Sequence, residues 1–175
     1  MSKAELRREI AARRDALSAA ERARLAEALT ESLVALPQYR SARSVLATMS
    51  IGSEWGTQAF IARARSEGKL LVLPRVTAPP RHLELHRVSD PAHDLRPGVW
   101  DIPEPDPERC PAVALESVDF ALVPALAADR QGFRLGYGAG YFDRLLAGRR
   151  GERPYCVTAL PSQFVLASLP HEPHD

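Results

Sequence analysis

The chain has 175 residues, of which 45% are hydrophobic and 26% charged, and a formal net charge of +1. That composition belongs to a globular protein and excludes a disordered or fibrous one. A near-neutral balance supplies no global field toward nucleic acid or an anionic membrane, so affinity for phosphate has to come from a local cluster.

Residues 3 to 16 are predicted to form a helix, with Leu6, Ile10 and Leu17 as one apolar stripe. At about 100° per residue, Lys3, Arg7 and Arg14 fall together beside that stripe, while Glu5 and Glu9 lie on the far side. These cations sit at the core boundary, within reach of a cleft. Ser18 and Glu21 form a capping box that starts a second helix. Its stripe of Leu25, Leu29, Leu33 and Leu36 ends before Pro37. Val45 to Met49 is predicted to be a buried strand, followed by a loop from Ser50 to Trp55 and a helix from Thr57 to about Glu67. Gly68 terminates that helix, and Leu70 to Leu73 form a strand stopped at Pro74. This β-α-β unit predicts parallel pairing. Leu83 to Val88 alternate as an edge strand would, and the proline-rich stretch 89 to 111 reads as an irregular connection. Val118 to Val123 is a buried strand, Asp129 to Gly132 a turn, Gly140 to Leu146 a helix and Tyr155 to Leu160 a last strand. Helices and strands alternate, so the expected class is α/β: a single domain over residues 1–175, with a mixed, mainly parallel sheet flanked by helices.

Between that turn and that helix lies RLGYGAGYFD, residues 134–143. Gly136, Gly138 and Gly140 let the backbone approach a ligand closely and turn successive N–H groups onto one anion. Arg134 offers a planar fork to phosphate oxygens, and Asp143 a hard oxygen ligand suited to Mg²⁺. A ligand-free tight turn would use the same glycines. A dinucleotide fingerprint would read GxGxxG directly after a strand, and a P-loop would need GK[ST]; neither is present. The cation row on the first helix gains meaning only if the fold brings it to this loop.

Other residues point elsewhere. Cys110 and Cys156 lack CxxC spacing, so two reduced thiols are expected. His82, His86 and His93 read as solvent-exposed. His171 and His174 cannot share a helix face across Pro173, which argues against zinc. No apolar run approaches the roughly 20 residues of a membrane span, and the charged N-terminal stretch is unlike a secretory signal. A cytoplasmic protein with no membrane or nucleic-acid partner is expected.

Several motifs in order carry a resemblance: Lys3 with Arg7, SEWGT at 53–57, LPR at 73–75, WDIPEP at 100–105, PALAAD at 124–129, the decapeptide at 134–143 and LPHEPHD at 169–175. Together they resemble the 5-formyltetrahydrofolate cyclo-ligase family over nearly the whole chain. The resemblance implies a fold similar to the ribose-5-phosphate isomerase and CoA-transferase type. It also implies conversion of 5-formyltetrahydrofolate to 5,10-methenyltetrahydrofolate with ATP and Mg²⁺ by a monomer. By motif, Lys3, Arg7 and the segment Arg134, Leu135, Gly136, Tyr137, Gly138, Ala139, Gly140, Tyr141 and Phe142 would bind ATP. Arg134 and Tyr141 would be catalytic, and Asp143 and Asp175 would hold the metal. Met49, Glu54, Trp100, Tyr137 and Tyr141 would contact the folate. Two departures stand out: Phe142 where the family usually has tyrosine, and Gly56 where it has an acidic or polar residue. Two other readings stay open. One is a non-catalytic relative binding a nucleotide or RNA through the arginine-rich helix. The other is a phosphotransferase acting on another substrate.

Overall fold

The computed structural model describes residues 2–77, 82–149 and 151–171. Helix α1 (Lys3–Asp15) and helix α2 (Ala19–Ala35) each open on a reciprocal capping box. Ser2 and Ser18 accept the N–H groups of Glu5 and Glu21, whose carboxylates reach back to the serine N–H. A short α3 (Pro37–Ser41) follows where the sequence predicted only a stop. Pro37 stands in its first turn, where a missing N–H costs nothing. Strand β1 (Ser44–Leu46) is shorter than predicted and leaves Met49 in the loop beyond it. Helix α4 (Gln58–Ser66) begins after Thr57. The Thr57 hydroxyl does not cap it; that group donates to the Thr48 carbonyl at 2.6 Å and ties α4 to the loop leaving β1. The chain continues through β2 (Leu70–Val76), β3 (Leu83–Val88), α5 (Pro91–Asp94), β4 (Leu95–Pro97), β5 (Pro103–Pro105) and β6 (Ala112–Val113). Then come β7 (Phe120–Leu122), β8 (Ala127–Asp129), β9 (Arg134–Leu135), α6 (Tyr141–Ala147), β10 (Tyr155–Val157) and β11 (Val165–Leu166).

The main sheet has the order β10-β7-β1-β2-β3-β6. The pairings among β10, β7, β1 and β2 are parallel, and those of β3 with β2 and β6 are antiparallel. The mainly parallel sheet of the sequence reading is therefore present. Strand β1 leads through α4 to its neighbour β2, whereas β7 leads the other way, through α6, to β10. The connections part between β1 and β7, and in open α/β sheets such a switch point leaves a crevice at the carboxyl ends of the strands. The loop holding Met49 and Glu54 leaves β1 there, and the chain toward the glycine loop leaves β7. A small sheet, β11-β8-β9, lies in that second connection.

Side chains alternate across the main sheet with the period of two that strands impose. Val45, Leu71, Leu73, Phe120 and Leu122 pack on one side with Leu33, Tyr39 and Phe60. Leu46, Val72 and Ala121 face the other, where Phe142, Leu145 and Leu146 of α6 cover them. The stripe of α1 is real: Leu6 and Ile10 join Leu126, Leu135, Phe164 and Leu169 in a separate cluster that fixes α1 to the small sheet. Among the described residues no helix is long and apolar enough to cross a membrane.

Five predictions need correction. Strand β2 runs through Pro74. The N–H of Leu70 and the carbonyl of Val72 face β1, so the in-phase Pro74 nitrogen points to the same side, beyond Leu46 where β1 has left the ladder. Residues 83–88 are an inner strand, because β6 covers their outer edge. The stretch 89–111 contains α5 and a β4-β5 hairpin. Strand β10 is followed by β11, and His86 is buried, its Nδ1 against the Cys110 carbonyl at 2.8 Å.

Asp119 locks the starts of the central strands. It accepts the N–H groups of Arg43 (2.8 Å) and Ser44 (3.1 Å) and pairs with Arg153 at 2.8 Å. Burial alone would raise its carboxyl, but the two N–H groups, the guanidinium and the Ser44 hydroxyl outweigh burial and hold its pKa low. A folded-state pKa below the unfolded value gives stability that is complete above roughly pH 4 and lost as pH falls through the folded value. Asp119→Asn is expected to cost about 1–3 kcal/mol at neutral pH. In urea titrations the gap to the parent should close toward acid; a gap constant across the acid limb would disprove the assignment.

Candidate active site

A cavity of about 780 Å³ opens at the switch point. Every described site residue predicted from the sequence lines it: Lys3, Arg7, Met49, Glu54, Trp100 and all of residues 134–143. Asp175 lies outside the described residues.

The glycine loop forms one wall. Leu135 anchors its start in the α1 cluster. Gly138 has φ +104° and Gly140, which precedes the first turn of α6, has φ +67°, both in the left-handed region that excludes most side chains. A Cβ on Gly140 would also lie 2.9 Å from the Arg144 guanidinium. Because α6 spans only seven residues, the positive charge at this wall comes from side chains rather than from a long helix.

Helix α1 delivers those side chains. Arg7 donates from Nε to the Gly136 carbonyl at 2.8 Å, and Lys3 lines the cavity one turn earlier. The fold therefore brings the row beside the apolar stripe to the loop. Arg14, farther along α1, donates to the Tyr137 hydroxyl at 2.6 Å and to the Ser53 hydroxyl at 2.9 Å. Arg134 forms an ion pair with Asp143; its side chain is 17% exposed, whereas that of Asp143 is 70% exposed. The arginine is thus a held wall residue and not a loose loop side chain. Arg144, which the sequence reading passed over, donates to the Ala139 carbonyl at 3.0 Å and lies over the Tyr141 ring.

The opposite wall is flatter and less charged. Trp100 is 60% exposed at the cavity rim and meets Tyr141 edge-on, with ring centroids 6.2 Å apart. Its φ of +58°, and that of Asp101 at +57°, mark a backbone held against its preference. Glu104, also missed, is buried beneath this turn. Burial pushes its carboxyl up, opposed by the N–H groups of Val76 and Val99 and by Arg75 and Arg96. An acidic residue between Pro103 and Pro105 was the available sequence signal. Glu54 accepts the Ile51 N–H at 2.7 Å and the Tyr137 hydroxyl. Burial and the Glu54 charge raise the Tyr137 phenol well above its usual range, so it remains a donor at neutral pH. Phe142 packs with Leu145 and Leu146, so its ring serves the core and needs no hydroxyl there.

Residues 169–171 line a further side of the cavity. Asp129 accepts the Leu169 N–H at 2.9 Å, and the His171 ring stacks on Phe133 at 4.0 Å. Among the described residues no three His, Cys, Asp or Glu side chains converge on one point. Both described cysteines are free thiols. One wall suits a polyanion: glycine backbone, three α1 or β9 cations and one exposed carboxylate. The other suits a flat ring with polar edges.

Comparison with known proteins agrees. The sequence model of the 5-formyltetrahydrofolate cyclo-ligase family matches residues 1–175. The Mycolicibacterium smegmatis 5-formyltetrahydrofolate cyclo-ligase is 34% identical over 99% of this chain and 89% of its own length. The Mus musculus enzyme of that name is 29% identical over 97% of this chain and 87% of its own. The solved structure of Aquifex aeolicus 5,10-methenyltetrahydrofolate synthetase superposes with a TM-score of 0.85 at 34% identity, covering 98% of this chain and 84% of that one. The Mycoplasma pneumoniae synthetase, at 20% identity and a TM-score of 0.78, shares the fold. The chain belongs to the 5-formyltetrahydrofolate cyclo-ligase family.

Proposed function

We propose that this chain uses ATP to cyclise 5-formyltetrahydrofolate to 5,10-methenyltetrahydrofolate, releasing ADP and phosphate. One observation carries the reading beyond family membership: a single cavity joins a cationic glycine wall to an aromatic wall with an acceptor carboxylate. An enzyme that must phosphorylate one ligand with another needs both in one chamber. The free cysteines fit a cytoplasmic enzyme.

The formyl oxygen is a poor leaving group until it is phosphorylated. Transfer of the γ-phosphoryl to that oxygen releases ADP, N10 then attacks the formyl carbon and loses its proton, and the oxygen departs within phosphate. The chain has to align two ligands and neutralise charge, and it needs no covalent nucleophile. Lys3, Arg7 and the backbone of residues 135–142 would bind the triphosphate. Arg134, already fixed by Asp143, would face the transferring phosphoryl. Tyr141, edge-on to Trp100, would separate the nucleotide from the folate and orient the formyl group between them. Met49 and Trp100 would cover the folate rings, and Glu54 would accept from ring N–H donors.

The donor chemistry suits Mg²⁺ carried in on phosphate oxygens: Asp143 is an exposed hard ligand at the cationic wall, and such ions take few protein ligands. Asp175 is the second proposed ligand. When bound, the ion neutralises phosphate oxygens and fixes their geometry.

With 5-formyltetrahydrofolate, ATP and Mg²⁺, the purified protein should generate the near-ultraviolet absorbance of the methenyl product. Folded protein that binds the folate yet never yields that absorbance would refute the reading. Arg134→Ala should raise the KM for ATP about tenfold or more, the size of a lost charge-assisted contact. Because its ion pair is solvent-facing on the Asp143 side, the same change should cost no more than about 1 kcal/mol of stability by thermal unfolding. Unfolding with unchanged nucleotide KM would contradict the assignment.

A further inference from the structure

We propose that Arg14 is a positioning residue for the folate end of the cavity, aligning Glu54 through the Tyr137 hydroxyl. The inference rests on the cyclo-ligase reading above and adds a residue to it. Arg14 does not line the main cavity; it stands behind Tyr137 and Glu54, beside a small neighbouring pocket.

Proton direction links Arg14 to Glu54. A guanidinium has five N–H donors and no acceptor, so any hydroxyl that it touches must send its own proton elsewhere. Arg14 touches two: Nη1 lies 2.6 Å from the Tyr137 hydroxyl and Nε 2.9 Å from the Ser53 hydroxyl. Its carbon also sits 5.5 Å from the Tyr137 ring centroid, which limits where the ring can go. Each hydroxyl then has a carboxylate waiting. Tyr137 donates to Glu54, and Ser53 donates to Asp15. The two hydroxyls and two carboxylates have one consistent hydrogen arrangement, and its Tyr137 branch ends on Glu54.

Glu54 is held at both oxygens, one by Tyr137 and the other by the Ile51 N–H at 2.7 Å. Its remaining lone pairs are left for N–H donors of a ligand in the cavity. Tyr137 is 43% exposed, so core packing does little to fix its ring, and the polar contacts from Arg14 and Glu54 do most of that work. Remove the guanidinium, and the Tyr137 proton is no longer directed. The contacts of Arg14 itself with Ser53 and Tyr137 are lost as well, while Asp15 keeps its hold on Ser53. The nucleotide wall keeps its own contact, Arg7 to Gly136. The defect should therefore fall on one substrate.

The test is a double-mutant cycle on the full chain with Arg14→Met, which keeps the aliphatic stem, and Tyr137→Phe. KM for each substrate, kcat, thermal midpoint and folate Kd from quenching of Trp55 and Trp100 fluorescence are measured. Arg14→Met is expected to raise folate KM and Kd about tenfold, with ATP KM and kcat within about threefold of the parent. In the Tyr137→Phe background the same change should add less than about twofold, because the hydroxyl through which Arg14 acts is gone. Arg14→Lys should recover part of the affinity, since an ammonium is a point donor that cannot span both hydroxyls as the fork does. Additive effects, or equal rises in both KM values, would overturn the proposal. So would a lowered thermal midpoint with unchanged folate KM, which is the mark of a purely structural anchor. If Arg14→Met does not fold, Arg14→Lys decides: parental folate KM and Kd in that variant overturn the proposal. A parent chain that binds no folate fails both readings, whereas a parent that turns over normally while the cycle is additive fails only this one.

Discussion

The glycine loop has almost no regular structure of its own, so its shape is set by what grips it. Arg7 of α1 grips its backbone, and Arg14 one of its side chains. Arg7 holds the Gly136 carbonyl and Arg14 holds the Tyr137 hydroxyl, so donors two turns apart on one helix, about 10 Å along its axis, reach consecutive loop residues. The grip is effective because helix and loop share a foundation. Leu6 and Ile10 of α1 pack in the same cluster as Leu135, the residue from which the loop departs. A shift of α1 would move the cations and the root of the loop together. Left-handed backbone at Gly138 and Gly140 then completes a wall whose geometry exists before any ligand arrives.

That wall faces a second one because of the chain path. Strand β1 hands on to β2 and β7 to β10, in opposite directions, so the loops leaving β1 and β7 diverge and leave space between them. Antiparallel β3 extends the sheet on the β2 side, and Glu104 sits close to it beneath the Trp100 turn. The aromatic wall therefore depends on pairing far from the glycine loop in sequence. Both walls converge on Tyr137 and Tyr141, which contact Glu54 and Trp100 across the cavity.

Local chemistry was legible in the sequence where it is carried by short-range pattern. Ser18 with Glu21, the Leu6 and Ile10 stripe, the cation row beside it and the glycines of residues 136–140 all rest on spacings of a few residues, and the structure shows the cap, the buried stripe and the row set against the glycine segment. What was missed depends on partners distant along the chain. Pro74 looked like a strand stop because a lone sequence cannot reveal that β1 ends at Leu46 and leaves the Pro74 nitrogen nothing to bond. His86 looked exposed because the covering strand, Ala112–Val113, is only two residues long and has no periodicity to detect. Glu104 was invisible as a site residue for a similar reason, and Arg14 was legible only as one member of the cation row. Each acts on a neighbour brought to it by the fold, Glu104 on the N–H groups of Val76 and Val99 and Arg14 on Tyr137 and Ser53.

The near-zero net charge sharpens this account. A protein with formal charge +1 must build an anion site from local excess, and clustered arginines repel one another unless something offsets them. Here the offsets are graded. Arg14 is answered by Tyr137 and Ser53, whose protons run on to Glu54 and Asp15; Arg134 is answered by Asp143. Among the described residues Arg7 meets a carbonyl dipole and no carboxylate. The cations nearest the carboxylates are held in place at the expense of net charge, while Arg7 faces the glycine wall without such an offset among the described residues. A polyanion entering there meets side chains that are already ordered, so less conformational entropy is lost on binding than flexible arginines would cost. Toward Glu54 the charge of Arg14 goes to ordering Tyr137 and Ser53 instead, so the two walls of one cavity present different faces.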